Sequence, residues 1–180
     1  MQGSKKIKIL VAGDSFATIY NGAYKGWAQM LAEHYSVKNV AQAGVGQYKI
    51  LKQIQKQDLS KFDTLVISHT SPYRIHTATH PLHQQGFHKN CDFIYEDVKG
   101  RLPDVEKFFT EYFDLDYANY IHNLLKKEID SIINKYEINV IDTESLELDK
   151  VFKTNRGQVQ HLDEVGNKLI YKRLQERLSK

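Results

Sequence analysis

The run Lys6-Ile7-Lys8-Ile9-Leu10-Val11-Ala12-Gly13-Asp14-Ser15 limits the folds open to this chain more than any other segment. Its apolar, alternating part is too short and wrongly flanked for a signal peptide or a membrane span, so it is expected to be the first strand of a soluble, cytoplasmic protein. The run stops at a glycine, and a hydroxyl side chain follows two residues later. In an open α/β sheet that point is the carboxyl edge, where ligands bind and chemistry is done. Backbone N–H groups at a helix entrance there can meet a negative oxygen, which makes Ser15 the first candidate nucleophile.

The rest of the chain supports a sheet of that kind. Trp27, Met30, Leu31 and His34 repeat at helical spacing, and Val37 to Ala41 reads as a second strand. Gln42 to Gln47 reads as a loop, and Ile50, Leu51 and Ile54 mark a second helix. Phe62 to Ser68 is a continuous buried strand that runs into His69-Thr70-Ser71-Pro72, where the proline ends it. The order β-α-β-α-β belongs to a parallel sheet with helices on both faces.

From Ile75 to about Pro103 periodicity is lost, and a segment of that length is expected to be a functional loop. Helical spacing returns at Val105–Phe113 and Tyr117–Tyr136, Ile138–Asp142 reads as a strand, and Asp163–Leu178 as the last helix. The expectation is one domain over 1–180: a three-layer α/β/α sandwich with a flavodoxin-like parallel sheet of about five strands and an insertion over about 75–136.

Composition narrows the function. The chain is 41% hydrophobic and 26% charged, as globular proteins are, and its net charge of +3 is spread without a basic stripe. Neither a nucleic acid nor a membrane is expected as a partner. Cys91 is the lone cysteine, so an intrachain disulfide is impossible and no cysteine-based zinc site is expected. His69, His76, His80, His83 and His88 invite a metal reading, with His76, His80 and His83 at i, i+4 and i+7. Pro81 interrupts that span and no acid interleaves until Asp92, so a polar loop that touches substrate is expected instead, with no metal and no cofactor.

Four segments of a parallel sheet would open on one edge. Ser15 supplies a hydroxyl, Gly44 or Gly46 an unobstructed backbone N–H, Thr70 or Ser71 a polar side chain, and His161 the base that a serine hydroxyl needs. Arg74 suits an anionic or polar substrate group, and His69 and Gln47 are further candidates for substrate contact. Asp14 is expected to hold its turn through side-chain to backbone bonds, and Asp163 to cap the last helix. Ala43-Gly44-Val45-Gly46 lacks the Lys and Ser/Thr of a phosphate-binding loop.

In this order the residues resemble the SGNH (GDSL-type) hydrolase family. Gly13-Asp14-Ser15 is similar to its first block, Asn39-Val40-Ala41-Gln42-Ala43-Gly44 to its second, and His161-Leu162 with the following helix to its last. The resemblance implies Ser15 as nucleophile and His161 as base. It implies an oxyanion hole from the N–H groups of Ser15 and Gly44, with Thr70 where the family carries an Asn. Gln158 stands where the family carries an Asp, which leaves the base either in a dyad or oriented by another acid, of which Asp142, at a strand end on the active edge, is the foremost candidate. The function implied is hydrolysis of a small acyl ester, foremost an O-acetyl group on a carbohydrate. An acyltransferase using the same residues, or a non-catalytic member binding a glycan or a protein partner, is the alternative.

Overall fold

The computed structural model describes residues 6–19, 24–157 and 161–179. β1 (Lys8–Gly13), β2 (Ser36–Asn39), β3 (Thr64–Ser68) and β4 (Asn139–Asp142) form one sheet in the order β2-β1-β3-β4, and every pairing is parallel. Among the described residues the sheet has four strands where about five were expected.

The strands sort their side chains onto two faces, as a period of two requires. Ile9, Val11, Val66 and Ile141 face one core with α1 (Trp27–His34), α6 (Leu148–Thr154) and α7 (Glu164–Leu178). Leu10, Ala12, Leu65 and Ile67 face the other, against Ile50, Leu51 and Ile54 of α2 (Gln47–Gln55) and Ile129 and Ile133 of α5 (Leu115–Ile133). β1 and β3 are buried on both faces, which explains their continuous apolar sequence. The three-layer α/β/α sandwich is therefore as the sequence led one to expect.

The segment 75–136 is not uniform. α5 is the crossover that returns the chain to β4, and its buried Ile129 and Ile133 are part of the sheet's own core. The irregular part lies before it, with a four-residue helix α3 (Tyr95–Val98) and α4 (Pro103–Glu111), which buries no residue. The bridge between Ile75 and Phe93 closes its base. α3 and α6 lack the length for a periodic signal and were not foreseen. In α7 the inner stripe is Gly166, Ile170 and Leu174, while Val165, one residue before it, is 63% exposed. Those three positions recur at i, i+4 and i+8, so Val165 sits about 100° away around the helix.

In this strand order the chain leaves β1 toward β2 and β3 toward β4, on opposite sides. The crevice beyond the ends of β1 and β3 is the switch point of the sheet, where a ligand has room between diverging connections.

Candidate active site

The nucleophile candidate is positioned from β1 outward. Gly13 has φ +150°, and a Cβ there would lie 2.6 Å from the Ser68 carbonyl oxygen and 2.7 Å from its Cβ. Only glycine lets the ends of β1 and β3 approach this closely. Gln53 of α2 then holds the turn: the Gly13 N–H donates to its Oε1 at 2.8 Å, and its Nε2 donates to the Gly13 carbonyl at 3.0 Å. Asp14 closes the turn as expected, its Oδ1 accepting the Phe16 N–H at 3.0 Å.

The second loop is tied to the first by Asn39. Its Nδ2 donates to the Ala17 carbonyl at 2.7 Å, and its Oδ1 accepts the Ala41 N–H at 2.9 Å. Gly44 follows with φ +72°, and a Cβ on it would meet Cys91 Cβ at 2.6 Å. Glycine is required there by conformation and by space alike. His161 stands before α7 on a loop held by Leu162, whose carbonyl accepts from the Tyr24 hydroxyl at 2.7 Å and from Asn167 Nδ2 at 3.2 Å. Asn167 in turn accepts the Trp27 N–H at 3.0 Å, which fixes the loop to α1. The His161 ring lies 5.6 Å from that of Phe16, the residue after Ser15.

These segments meet around one cavity of about 880 Å³, lined by Ser15, Gly44, Thr70, Arg74 and His161. Neither the Ser15 N–H nor the Gly44 N–H has a hydrogen-bond acceptor among the described residues. Unengaged backbone donors beside a cavity are what a developing oxyanion needs.

Thr70 is placed otherwise than a simple oxyanion donor would be. Its oxygen accepts from Arg74 Nε at 3.1 Å, and its hydroxyl is among the groups that pull the pKa of Asp14 down. Asp14 is 4% exposed, and burial pushes its pKa up to about 6 against the pull of the Phe16 N–H, the Arg74 charge and the Thr70 and Ser68 hydroxyls. Arg74 braces two walls at once, because its Nη1 donates to the Gly44 carbonyl at 3.1 Å. Its Nη2 has no partner among the described residues and remains for a ligand.

The remaining candidates are engaged with one another. The Gln47 amide and His69 Nδ1 are hydrogen-bonded at 2.7 Å, and His69 Nε2 lies 3.7 Å from Asp142 Oδ2. Burial, followed by the Lys126 charge, pushes the His69 pKa down to about 4, so its ring is neutral at pH 7. His69 lines the main cavity, while Gln47 lines a smaller neighbour of about 260 Å³. Asp142 was expected beside His161, but its Oδ1 accepts the Glu144 N–H at 2.8 Å and its other oxygen faces His69. The reason is local: Asp142 caps the short helix that begins at Thr143, which turns its carboxylate back onto that backbone. Asp163 caps α7 as expected, accepting the Gly166 N–H at 2.7 Å. Gln158 lies outside the described residues.

Sequence reasoning missed Asp92 and Asp97. Asp92 is 1% exposed and carries the base of the insertion. It accepts the Gly46 N–H at 2.6 Å and the Thr77 N–H at 3.0 Å, and pairs with Lys49 Nζ at 2.6 Å. Asp97 on α3 lies 2.7 Å from His83 Nε2 and 3.2 Å from His80 Nε2. Each acid sits in an irregular segment without periodicity, so only the fold brings partners to it. Cys91 also lines the cavity, but burial pushes its thiol up to about 11, which argues against a second nucleophile at neutral pH.

No protein-family model matches the chain, and no curated protein matches it. Among solved structures it is similar to a member of the lipolytic protein G-D-S-L family from Veillonella parvula DSM 2008. The identity is 15%, the TM-score 0.43, and the match covers 97% of this chain and 99% of that one. It is also similar to the lipase Lip_vut3 from a goat rumen metagenome, at 14% identity and TM-score 0.42, over 94% and 96% of the two chains. At such values the likeness carries no argument about chemistry, which rests on the cavity. No helix among the described residues is long and apolar enough to cross a membrane.

Proposed function

We propose that the chain is a serine ester hydrolase acting on a small acyl ester, foremost an O-acetyl group on a carbohydrate. The observation that carries this reading is the convergence of Ser15, Gly44 and His161, from three distant segments, on one cavity beside two unengaged backbone N–H groups. In the reaction Ser15 Oγ attacks the ester carbonyl while His161 takes its proton, and the carbonyl oxygen gains the negative charge. The N–H groups of Ser15 and Gly44 donate to that oxygen. His161 then protonates the leaving alcohol, and a water deprotonated by His161 releases the acyl group as a carboxylic acid. The base works as part of a dyad with Ser15, with Thr70 and Arg74 shaping the Gly44 side of the hole.

The carbohydrate part is supported by the cavity walls. The main cavity carries polar side chains such as Arg74, His69 and Glu144 beside apolar ones, and Arg74 Nη2 has no acceptor among the described residues. The adjoining cavity of about 260 Å³ carries Tyr48, Phe108, Phe113 and Tyr117, whose faces suit a sugar ring. Thr70, a hydroxyl where an amide donor would be expected, favours one other reading, a glycan-binding protein with a weakened site.

The test is turnover of p-nitrophenyl acetate and labelling by a fluorophosphonate at neutral to mildly alkaline pH, compared with Ser15→Ala. The expected result is labelling of Ser15 and a loss of at least about a thousandfold in kcat/KM on substitution. Turnover that is absent, or unchanged in Ser15→Ala, overturns the hydrolase; glycan binding retained without turnover would establish the second reading.

A further inference from the structure

We propose that His80, His83, Cys91 and Asp97 form a zinc site that clamps the irregular segment against the Gly44 loop in the wall of the main cavity. One ligand atom from each of the four lies within 4.8 Å of every other. Tetrahedral zinc with nitrogen, oxygen and sulfur ligands at about 2.0–2.3 Å holds its donors roughly 3.3–3.8 Å apart, so the side chains need to move by less than about 1 Å. His80 is fully buried and its Nε2, which has no hydrogen-bond partner, lies 3.2 Å from Asp97 Oδ2. An orphaned ring nitrogen pointing into a cluster of donors is the observation that asks for a ligand.

The chain builds this set without a helix, which is why the interruption at Pro81 does not prevent it. The His83 N–H donates to the His80 carbonyl at 3.1 Å, so a turn brings the two rings together, with centroids 4.6 Å apart. The Asn90 N–H then donates to the His83 carbonyl at 2.9 Å, which returns the chain and delivers Cys91. α3 supplies Asp97, whose Oδ1 is held by Arg101 Nη1 at 2.8 Å and whose Oδ2 is left toward the histidines. Outer partners of this sort orient ligands in metal sites. The expectation of no cysteine-based zinc site is thereby reopened, since one thiolate suffices when two imidazoles and a carboxylate complete the set.

The donor chemistry selects the ion. A thiolate and a carboxylate neutralise a dication, so the bound cluster carries no net charge, and a mixed sulfur and imidazole set favours zinc over calcium or magnesium. Four protein donors close the coordination sphere, as in structural sites. Binding through His80 Nε2 moves the ring proton to Nδ1 and gives up the 3.2 Å contact from the Leu82 N–H. The gain lies beside the candidate oxyanion hole: Cys91 packs against Gly44, and the Asp92 N–H donates to the Gly44 carbonyl at 2.8 Å.

The experiment needs no substrate. Full-length protein is stripped with a chelator and titrated with zinc chloride against a chromophoric chelator, and the cobalt form is examined for a sulfur-to-cobalt charge-transfer band. Expected are one zinc per chain, a charge-transfer band lost in Cys91→Ser, and binding weakened by about 100-fold or more in both Cys91→Ser and His83→Gln. His83 is partly exposed, so His83→Gln keeps the test open should Cys91→Ser fail to fold. Absence of stoichiometric binding at micromolar zinc, or binding undiminished in either folded variant, overturns the site.

Discussion

The two sides of the main cavity are built on different principles. On the sheet side, Gly13, Ala17, Ala41 and Leu162 are held by side-chain amides of regular elements: Gln53 of α2 on Gly13, Asn39 of β2 between the first two loops, and Asn167 of α7 on Leu162. On the other side, the segment between β3 and α4 buries little apolar surface and depends on Asp92 and Asp97 and the cations and N–H groups around them. Candidate reacting groups thus stand on the rigid half, and the wall that faces them depends on charge. Rigid placement suits chemistry, while a wall held by polar hubs adapts to ligand, pH or metal.

The largest effect on stability should come from the polar half. Asp92→Ala removes the acceptor of the buried Gly46 N–H and of the part-buried Lys49 and Thr77 N–H groups, which should cost about 3 kcal/mol in urea unfolding. A loss under about 1 kcal/mol would mean that the insertion is held by something other than this carboxylate.

Asp14→Asn probes the rigid half. Burial raises the Asp14 pKa from its ordinary 3.8 to about 6, so its contribution to stability is full below pH 3.8 and is lost as pH rises through 6. Asp14→Asn should therefore gain on the parent protein by on the order of 2 kcal/mol between pH 4 and pH 7.5. Parallel stability profiles for the two proteins would show that Asp14 is not desolvated. His69 acts in the opposite sense. Its pKa is lowered to about 4, so its contribution is present above about pH 6.5 and is lost as pH falls through 4.

Arg74 joins the halves, and Arg74→Lys keeps the charge while removing the fork that reaches Thr70 and Gly44 together. A rise of roughly tenfold in KM is expected. If only kcat fell, the guanidinium would serve the transition state rather than the bound ester. The smallest change is expected of Asp142→Asn, under about threefold in kcat/KM, because its carboxylate serves the Glu144 N–H and His69. A loss of a hundredfold would instead make Asp142 the acid behind His161.

Much of the fold was legible because burial leaves a periodic trace. The apolar runs of β1 and β3, the stripes of α1, α2 and α5, and the Asp163 cap all depend on neighbours a few residues away. Gly13 and Gly44 were legible for a related reason, since a turn that excludes side chains must be written as glycine. α3 and α6 are too short to carry a period. The partners of Asp142, Asp92 and Asp97 lie up to 73 residues away along the chain, as His69 does from Asp142, and no local pattern encodes them.

The sequence by itself determined the parallel sheet, the order of its crossovers, and which loops would open on its carboxyl edge, because alternation and helical spacing follow directly from backbone geometry. Tertiary structure alone decided which side chains meet there: Asp142 with His69, Thr70 with Arg74, and four donors from a turn, a returning segment and a short helix. Charge and hydrogen-bond pairing are set by distance in space, and in an irregular segment that distance is fixed only once the chain has packed.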